Sequence, residues 1–170
     1  MVYIEPILPA PLIVIIGGGH VGKAVAHLAK WLNFRVAVSD DRLEFCTPEA
    51  NPDADQFIFC EMNDLPEKMT ISDQTILVLT TRGVDVDSKG LPSLLKTSAR
   101  YIGVIGSRRR WKETIDRMLT LGFSEQDLKK IHSPIGLEIH AETPEEIAIS
   151  IMAEIVMVLN GGNGQMMHKK

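Results

Sequence analysis

The sequence is poor in cysteine and aromatic residues, and it has no excess of positive charge. Its two cysteines, Cys46 and Cys60, are too few for a disulfide framework and are not spaced as a metal-binding pair, which is typical of a reducing compartment. Lys and Arg number 18 against 22 Asp and Glu, giving a net charge of −4. Nucleic-acid-binding domains are usually basic. We therefore predict a cytoplasmic protein that does not bind nucleic acid.

Long hydrophobic runs are also absent from the sequence. No apolar run approaches the roughly 20 residues of a membrane-spanning helix, and prolines at 6, 9 and 11 interrupt the mildly apolar N-terminus. We therefore expect neither secretion nor a membrane partner. With 170 residues, of which 45% are hydrophobic, the chain can bury one sizeable core. We predict a lead-in segment at residues 1–10, a single domain at 11–160 and a flexible tail at 161–170.

Short apolar runs alternate along the chain with segments of helical periodicity. The runs predict strands at 12–16, 35–39, 56–60, 74–81, 100–105 and 134–139. The periodic segments predict helices at 21–32, 85–98, 111–122, 125–131 and 144–159. This alternation indicates an α/β fold, a Rossmann-like, doubly wound and mostly parallel sheet with helices on both faces. The last helix is apolar almost all round, so we expect it to lie deep in the fold or in a homodimer interface.

A glycine-rich turn follows the first predicted strand. Gly17, Gly19 and Gly22 form a G-x-G-x-x-G pattern between a strand and a helix. In this pattern the first glycine permits the turn, the second lets a pyrophosphate approach the backbone, and the third lets the helix pack closely. The helix start then offers free N–H groups to a phosphate. The candidate binding residues here are Gly17, Gly18, Gly19, His20, Val21 and Gly22.

His20 has two interpretations: it faces a ligand phosphate or metal-bound oxygen, or it is a polar residue of the first helical turn. The whole turn has an alternative as well, since glycines also occur in turns that bind no ligand.

An acidic pair follows the second strand. Asp40 lies about 20 residues beyond the glycine turn, where an acid accepts hydrogen bonds from ribose hydroxyls. Each such bond to a charged group is worth about 1.5–3 kcal/mol. The charge of Asp40 would repel a 2′-phosphate and favour NAD over NADP, although Arg42 nearby weakens that preference. Asp40, Asp41 and Arg42 are therefore candidate cofactor-binding residues.

Two further strand ends carry candidate residues. Thr81 and Arg82 follow one strand, and Gly106, Ser107 and Arg108 follow another. Three consecutive arginines open the next helix and oppose its dipole, so an anionic ligand or partner would explain them. The alternative is a solvated basic turn. Because ligands bind at the carboxyl ends of parallel strands, we expect these residues to face one crevice.

His132, His140 and Glu142 lie close in sequence to the last predicted strand. They have two interpretations: a metal or proton-transfer site, or solvated and helix-capping residues. We favour the second and assign no metal site. The sequence assigns no catalytic residue.

Five stretches together resemble one family: G-G-G-H-V-G, S-D-D-R, T-T-R-G, Y-I-G-V-I-G-S-R-R-R and P-I-G-L-E-I-H-A-E-T-P-E-E-I-A. They are similar to the Rossmann domain of the xanthine dehydrogenase accessory factors (the XdhC/CoxI family), from about Glu5 to Val156. The last stretch is the most specific, because generic Rossmann domains lack it. Longer members carry an additional N-terminal domain. Family members often have histidine after T-R-G, where this chain has Val84.

The resemblance implies an accessory factor, more a cofactor-binding protein than an enzyme, that matures a molybdenum hydroxylase. Such a factor would bind the molybdenum cofactor (molybdopterin), assist its sulfuration or insertion, and have the apo-enzyme and a sulfur donor as partners. The glycine turn, Asp40, Arg42 and residues 106–108 would then line the ligand crevice. The alternatives are a nucleotide-sensing module and an NAD(P)- or flavin-linked oxidoreductase, although little chain remains for the substrate domain of a dehydrogenase.

Overall fold

The computed structural model describes residues 10–169, so the predicted lead-in segment lies almost entirely outside the described residues. Six strands occur within that range: β1 (Leu12–Ile16), β2 (Arg35–Asp40), β3 (Gln56–Phe59), β4 (Thr75–Leu79), β5 (Tyr101–Val104) and β6 (Ile131–His132). They form one sheet in the order β3-β2-β1-β4-β5-β6, with every neighbouring pair parallel. This is the strand order typical of Rossmann domains, so the predicted fold class is confirmed.

Helices cover both faces of the sheet. They are α1 (His20–Trp31), α2 (Leu65–Lys68), α3 (Val84–Leu94), α4 (Arg108–Thr120), α5 (Glu125–Leu128) and α6 (Pro144–Leu159). One core, which includes Ile13 and Ile15, packs under α1 and α6, and the other, which includes Val14 and Ile16, packs under α3 and α4. Successive residues of β1 thus enter opposite cores, which explains its continuous apolar run. Among the described residues, no helix combines the length and apolarity needed to cross a bilayer.

The last predicted strand was misplaced. Residues 134–139 form no strand, and β6 instead comprises Ile131 and His132, which pair with Ile102 and Gly103 of β5. Pro134 has no N–H to donate to a ladder, and Gly136 has a φ of 112°, which ends extended pairing. Helix α2, the 3₁₀ turn Met62–Asp64 before it and the 3₁₀ turn Met167–Lys169 in the predicted tail also escaped the sequence analysis.

Helix α6 begins as its sequence predicts. The Thr143 hydroxyl accepts a hydrogen bond from Glu146 N, and the Glu146 carboxylate accepts one from Thr143 N. The helix packs against α1, but Ile149 and Val158 remain exposed by 52% and 39%. The predicted homodimer interface therefore remains a prediction. The tail at 161–168 is exposed, and its predicted flexibility also remains a prediction.

Candidate functional site

A cavity of about 670 Å³ opens at the carboxyl ends of strands β1 to β5. It lies where the strand order reverses between β1 and β4, the position at which open α/β sheets bind ligands. Ten of the candidate residues line it: Gly17, Gly19, His20, Val21, Asp40, Asp41, Arg42, Thr81, Arg82 and Gly106. The others lie outside its lining: Gly18, Gly22, Ser107 and Arg108. The cavity therefore brings together the strand ends that the sequence analysis selected.

Three glycines of the turn are required by the fold itself. Gly17 has a φ of 113°, and a Cβ there would lie 2.7 Å from the Thr80 carbonyl oxygen. A Cβ at Gly18 would lie 2.6 Å from the Phe45 carbonyl oxygen, and one at Gly22 would lie 2.0 Å from the Gly17 carbonyl oxygen. Because backbone atoms block all three positions, these glycines would be needed without any ligand.

Gly19 differs from the other glycines of the turn. Its φ is −70°, and no described atom lies within 4 Å of a Cβ built there. It is the N-cap of α1, and no described side chain caps this helix start. Gly19, His20 and Val21 all line the cavity, so the uncapped N–H groups and the positive end of the helix dipole border open space. An anionic ligand would satisfy this helix start and would explain the glycine.

The segment between β2 and β3 is tied to the glycine turn by Asn51. Its side chain is fully buried, and Nδ2 donates to the Gly18 carbonyl oxygen at 3.0 Å and to the Phe45 carbonyl oxygen at 2.8 Å. Its Oδ1 has no hydrogen-bond partner among the described residues. Sequence patterns gave no indication of this role, because a polar residue in a loop is ordinarily solvated.

Asp40 is almost completely enclosed, with its side chain 1% exposed. Oδ2 accepts from Gly18 N at 2.8 Å and from Arg42 Nη2 at 3.0 Å. Oδ1 accepts from Arg42 N at 3.0 Å and from Arg42 Nε at 2.9 Å. The Arg42 guanidinium also lies over the Phe45 ring, 4.0 Å from its centroid. Asp40 thus connects the end of β2 to the glycine turn.

Asp41 has a very different environment. Its carboxylate is 34% exposed and accepts two hydrogen bonds from Arg82, at 2.8 Å from Nη1 and 2.6 Å from Nη2. These bonds lower the pKa of Asp41 to about 2, so the carboxylate is ionised at neutral pH. Asp41 follows β2 and Arg82 follows β4, so the pair joins strand ends on either side of β1.

A second ion pair, between Asp87 of α3 and Arg110 of α4, lies beside Thr81 just after the end of β4. Asp87 is fully buried and accepts from Arg110 Nε at 3.0 Å and from Nη2 at 2.6 Å. Arg110 also donates to the Thr81 carbonyl oxygen at 3.0 Å, and the Thr81 hydroxyl bonds Asp87. Gly106 accommodates this arginine, because a Cβ there would lie 2.9 Å from Arg110 Cδ.

From the sequence, one anionic ligand or partner was considered as the explanation for all three arginines at the start of α4. In the structure these arginines do not act together. Arg110 is used by the ion pair with Asp87, whereas Arg108 and Arg109 are exposed outside the cavity. Ser107 caps α4 by accepting from Arg110 N at 3.2 Å. Arg110 is explained by the need to neutralise the buried Asp87. The sequence does not reveal this pairing, because Asp87 lies on another helix, α3.

The wall of the cavity beyond β2 was not predicted from the sequence. It is lined by Ser39, Cys60, Glu61, Met62, Asn63 and Lys89. Burial raises the pKa of the Cys60 thiol, which lies 3.6 Å from the Ser39 hydroxyl, so this thiol is protonated at neutral pH. The rule that ligands meet the carboxyl ends of strands could have found Cys60 and Glu61, because both follow β3 directly.

The histidines near β6 do not form the site considered from the sequence. His132 Nδ1 lies 3.0 Å from Glu154 Oε1, whereas His140 is exposed and lies beside Glu138. Within residues 10–169, no three His, Cys, Asp or Glu side chains are grouped suitably for a metal ion.

The strand order, the cavity at the reversal point and the glycine turn at an uncapped helix start define a Rossmann domain. The family model of the XdhC Rossmann domain matches residues 13–155, and the chain belongs to this family.

Three relatives illustrate the family. The chain is 33% identical over 160 residues to the uncharacterized protein YqeB of Escherichia coli, covering 94% of this chain and 29% of that protein. It is 32% identical over 154 residues to a Bacillus subtilis protein described as a probable xanthine dehydrogenase subunit. The match covers 91% of this chain and 44% of that protein. The crystal structure of a xanthine dehydrogenase from Bacillus halodurans superposes with a TM-score of 0.78 at 30% identity. The superposition covers 92% of this chain and 44% of that protein. The chain thus spans less than half the length of each.

Proposed function

We propose that this domain is the cofactor-binding part of an accessory factor for a molybdenum hydroxylase of the xanthine dehydrogenase type. Its membership of the XdhC family and the names of two relatives support this role. The observation that carries the proposal is the open space at Gly19. A glycine that the surrounding protein does not require borders a cavity of about 670 Å³ at an uncapped helix start.

The cavity fits the chemistry of molybdopterin and of its dinucleotide form. Both carry phosphate, which the N–H groups at Gly19, His20 and Val21 would bind, with the Arg82 guanidinium nearby. The bound cofactor would supply the molybdenum centre that the client enzyme needs. This chain's residues would orient it and shield it from water while it is sulfurated or inserted. In this role the domain carries and presents its ligand, and the apo-enzyme and a sulfur donor are its partners.

Gly19→Val tests the proposal, because the new side chain extends into the phosphate position from a Cβ that has no described atom within 4 Å, apart from its chain neighbours. The matched control is Gly83→Val. Gly83 is also a helix N-cap with open space around it, in extended backbone at φ 171°, but it lies outside the cavity lining. The purified proteins are incubated with molybdopterin and with its dinucleotide form, and bound ligand is weighed by native mass spectrometry.

We expect wild type and Gly83→Val to retain the cofactor and Gly19→Val to lose it. Equal retention by all three proteins would refute the phosphate position. If wild type binds neither form of the cofactor but does bind a nicotinamide or flavin dinucleotide, the oxidoreductase alternative replaces the proposal.

A further inference from the structure

We propose that the cavity takes a ribonucleoside diphosphate group, whose ribose diol is held by Asp41 while Asp40 serves only the fold. This inference rests on the proposed function, because it uses the same cavity. It narrows the ligand to a nucleotide-bearing form of the cofactor, as opposed to a pterin with a single phosphate. The two adjacent carboxylates, Asp40 and Asp41, differ in how many of their acceptor positions are already occupied.

Asp40 has no capacity left for a ribose. A carboxylate offers about four acceptor positions, and Asp40 already accepts four hydrogen bonds, one from Gly18 N and three from Arg42. With its side chain only 1% exposed, a ligand could reach it only by displacing Arg42. Displacement would leave a buried charge without its partner, which is strongly unfavourable.

Asp41 can change partners at little cost. Its carboxylate accepts two hydrogen bonds from Arg82, and Arg42 lies 3.9 Å away. The Asp41 and Arg82 side chains are 34% and 50% exposed. Water screens a part-exposed ion pair and competes for it, so replacing Arg82 at Asp41 costs far less than uncovering the buried Asp40. The two hydroxyls of a ribose can therefore replace Arg82 as donors to Asp41.

The released Arg82 has a suitable new partner. A guanidinium binds phosphate oxygens through two parallel hydrogen bonds. Asp41 and Arg82 follow the two strands that flank β1, and the glycine turn follows β1 itself. Neighbouring strands are about 4.8 Å apart, so a diphosphate at Gly19 would have a ribose on the Asp41 side and Arg82 on the other.

The charges at this end of the cavity indicate that the site distinguishes ligands by their ribose hydroxyl groups and not by repelling negatively charged ones. Asp40 and Asp41 are each paired with an arginine, Arg42 and Arg82, so the four groups are together neutral. Before a ligand binds, therefore, no unpaired acid in this part of the cavity repels a 2′-phosphate, in contrast to the expectation from the sequence alone. A sugar that lacks a hydroxyl, however, leaves Asp41 with one donor fewer.

The test is isothermal titration calorimetry with CDP, ADP and GDP, each beside its 2′-deoxy counterpart, and with inorganic pyrophosphate. For wild type we expect each ribonucleotide to bind about tenfold more tightly than its deoxy form, the effect of one hydrogen bond to a charged group. In Asp41→Ala this ratio should fall to about one. Pyrophosphate should bind Asp41→Ala at least as tightly as wild type, because Arg82 is free. Asp116→Ala, which removes an equal charge at an exposed site on α4, should behave as wild type.

The outcomes separate this inference from the proposed function. If wild type binds molybdopterin and pyrophosphate, and Gly19→Val does not, but ribose and deoxyribose forms bind equally, the ribose role of Asp41 is wrong and the cofactor role stands. A tenfold ratio that persists in Asp41→Ala would likewise overturn the assignment. If Gly19→Val binds every ligand as wild type does, the shared phosphate position is wrong and both proposals fail.

Discussion

Asp40 and Asp41 are adjacent in sequence and identical in chemistry, yet the fold gives them different environments. The side chain of Asp40 is 1% exposed and accepts four hydrogen bonds, whereas that of Asp41 is 34% exposed and pairs with Arg82. Loss of one partner from a buried ion pair typically costs 3–5 kcal/mol, and loss of an exposed pair costs about 0–1 kcal/mol. The free energy of unfolding should therefore distinguish the two aspartates.

We expect Asp40→Asn to lower the free energy of unfolding by about 3 kcal/mol, because the new amide group would oppose donors from Arg42 and Gly18. Asp41→Asn is the matched control and should cost at most about 1 kcal/mol. Urea denaturation followed by circular dichroism measures both. Similar losses in the two variants would mean that Asp40 is not the structural member of the pair.

The residues at the ends of β1, β2 and β4 could be predicted from the sequence, because the G-x-G-x-x-G pattern and the acid that follows have fixed places in the fold. The division of roles between Asp40 and Asp41 could not. It depends on Arg42 curling back onto Asp40 and on Arg82 arriving from a strand end about 40 residues away. Asp87 and Arg110 could not be matched for the same reason, since each needs a partner from another helix.

At the scale of elements, the short strand β6 depends on a carboxylate of α6. Glu154 accepts from Tyr101 Oη at 2.6 Å, from His132 at 3.0 Å and from Gly136 N at 2.5 Å. It thereby joins α6 to β5, to β6 and to the segment after β6. Burial alone would raise the pKa of Glu154, but the hydrogen bonds from His132, Tyr101 and Gly136 outweigh it and lower the pKa.

This pKa shift gives stability a definite pH dependence. Because the folded-state pKa is lowered, the contribution of Glu154 is fully present above the unfolded value of about 4.3 and is lost as pH falls through the folded value. We therefore expect the free energy of unfolding of wild type to decrease below about pH 4.3 more steeply than that of Glu154→Gln. Urea titrations between pH 7 and pH 3 provide the comparison. Parallel curves for the two proteins would contradict the prediction.

Most elements could be predicted because their signals are local. β1 has a continuous apolar run, and α6 has a capping box with Pro144 at its first position. The end of the sheet could not be located in this way. The apolar residues at 135–139 resemble a strand, but Pro134 and Gly136 interrupt the ladder, so that beyond β6 Ile135 N donates to the carbonyl oxygen of Val104 at the end of β5.

At the scale of the whole molecule, the sheet is most deeply covered at its centre. Residues of β4 are all buried and pair with strands on both sides, whereas β3 pairs with β2 alone among the described strands and leaves Phe59 57% exposed. The alternation of elements predicted the parallel sheet, but this order of strands follows from how the crossovers pack, which no single segment encodes.

Amide hydrogen exchange should reflect this difference. We expect amides of β1 and β4 to exchange only through global unfolding and those of β3 to exchange faster through local opening of the edge. Exchange followed by mass spectrometry of peptic fragments measures both in one experiment. Equal protection of β3 and β4 would contradict the prediction.

The attachment of Asn51 to the glycine turn has a consequence for how the chain length can vary in evolution. A connection without an α-helix, such as the one between β2 and β3, ordinarily accepts insertions and deletions. Here one side chain bonds carbonyl oxygens of both Gly18 and Phe45. An added or deleted residue between Phe45 and Asn51 would separate those two contacts and shift the glycine turn itself. We expect related chains to keep the length of residues 40–51 constant and to vary in length elsewhere.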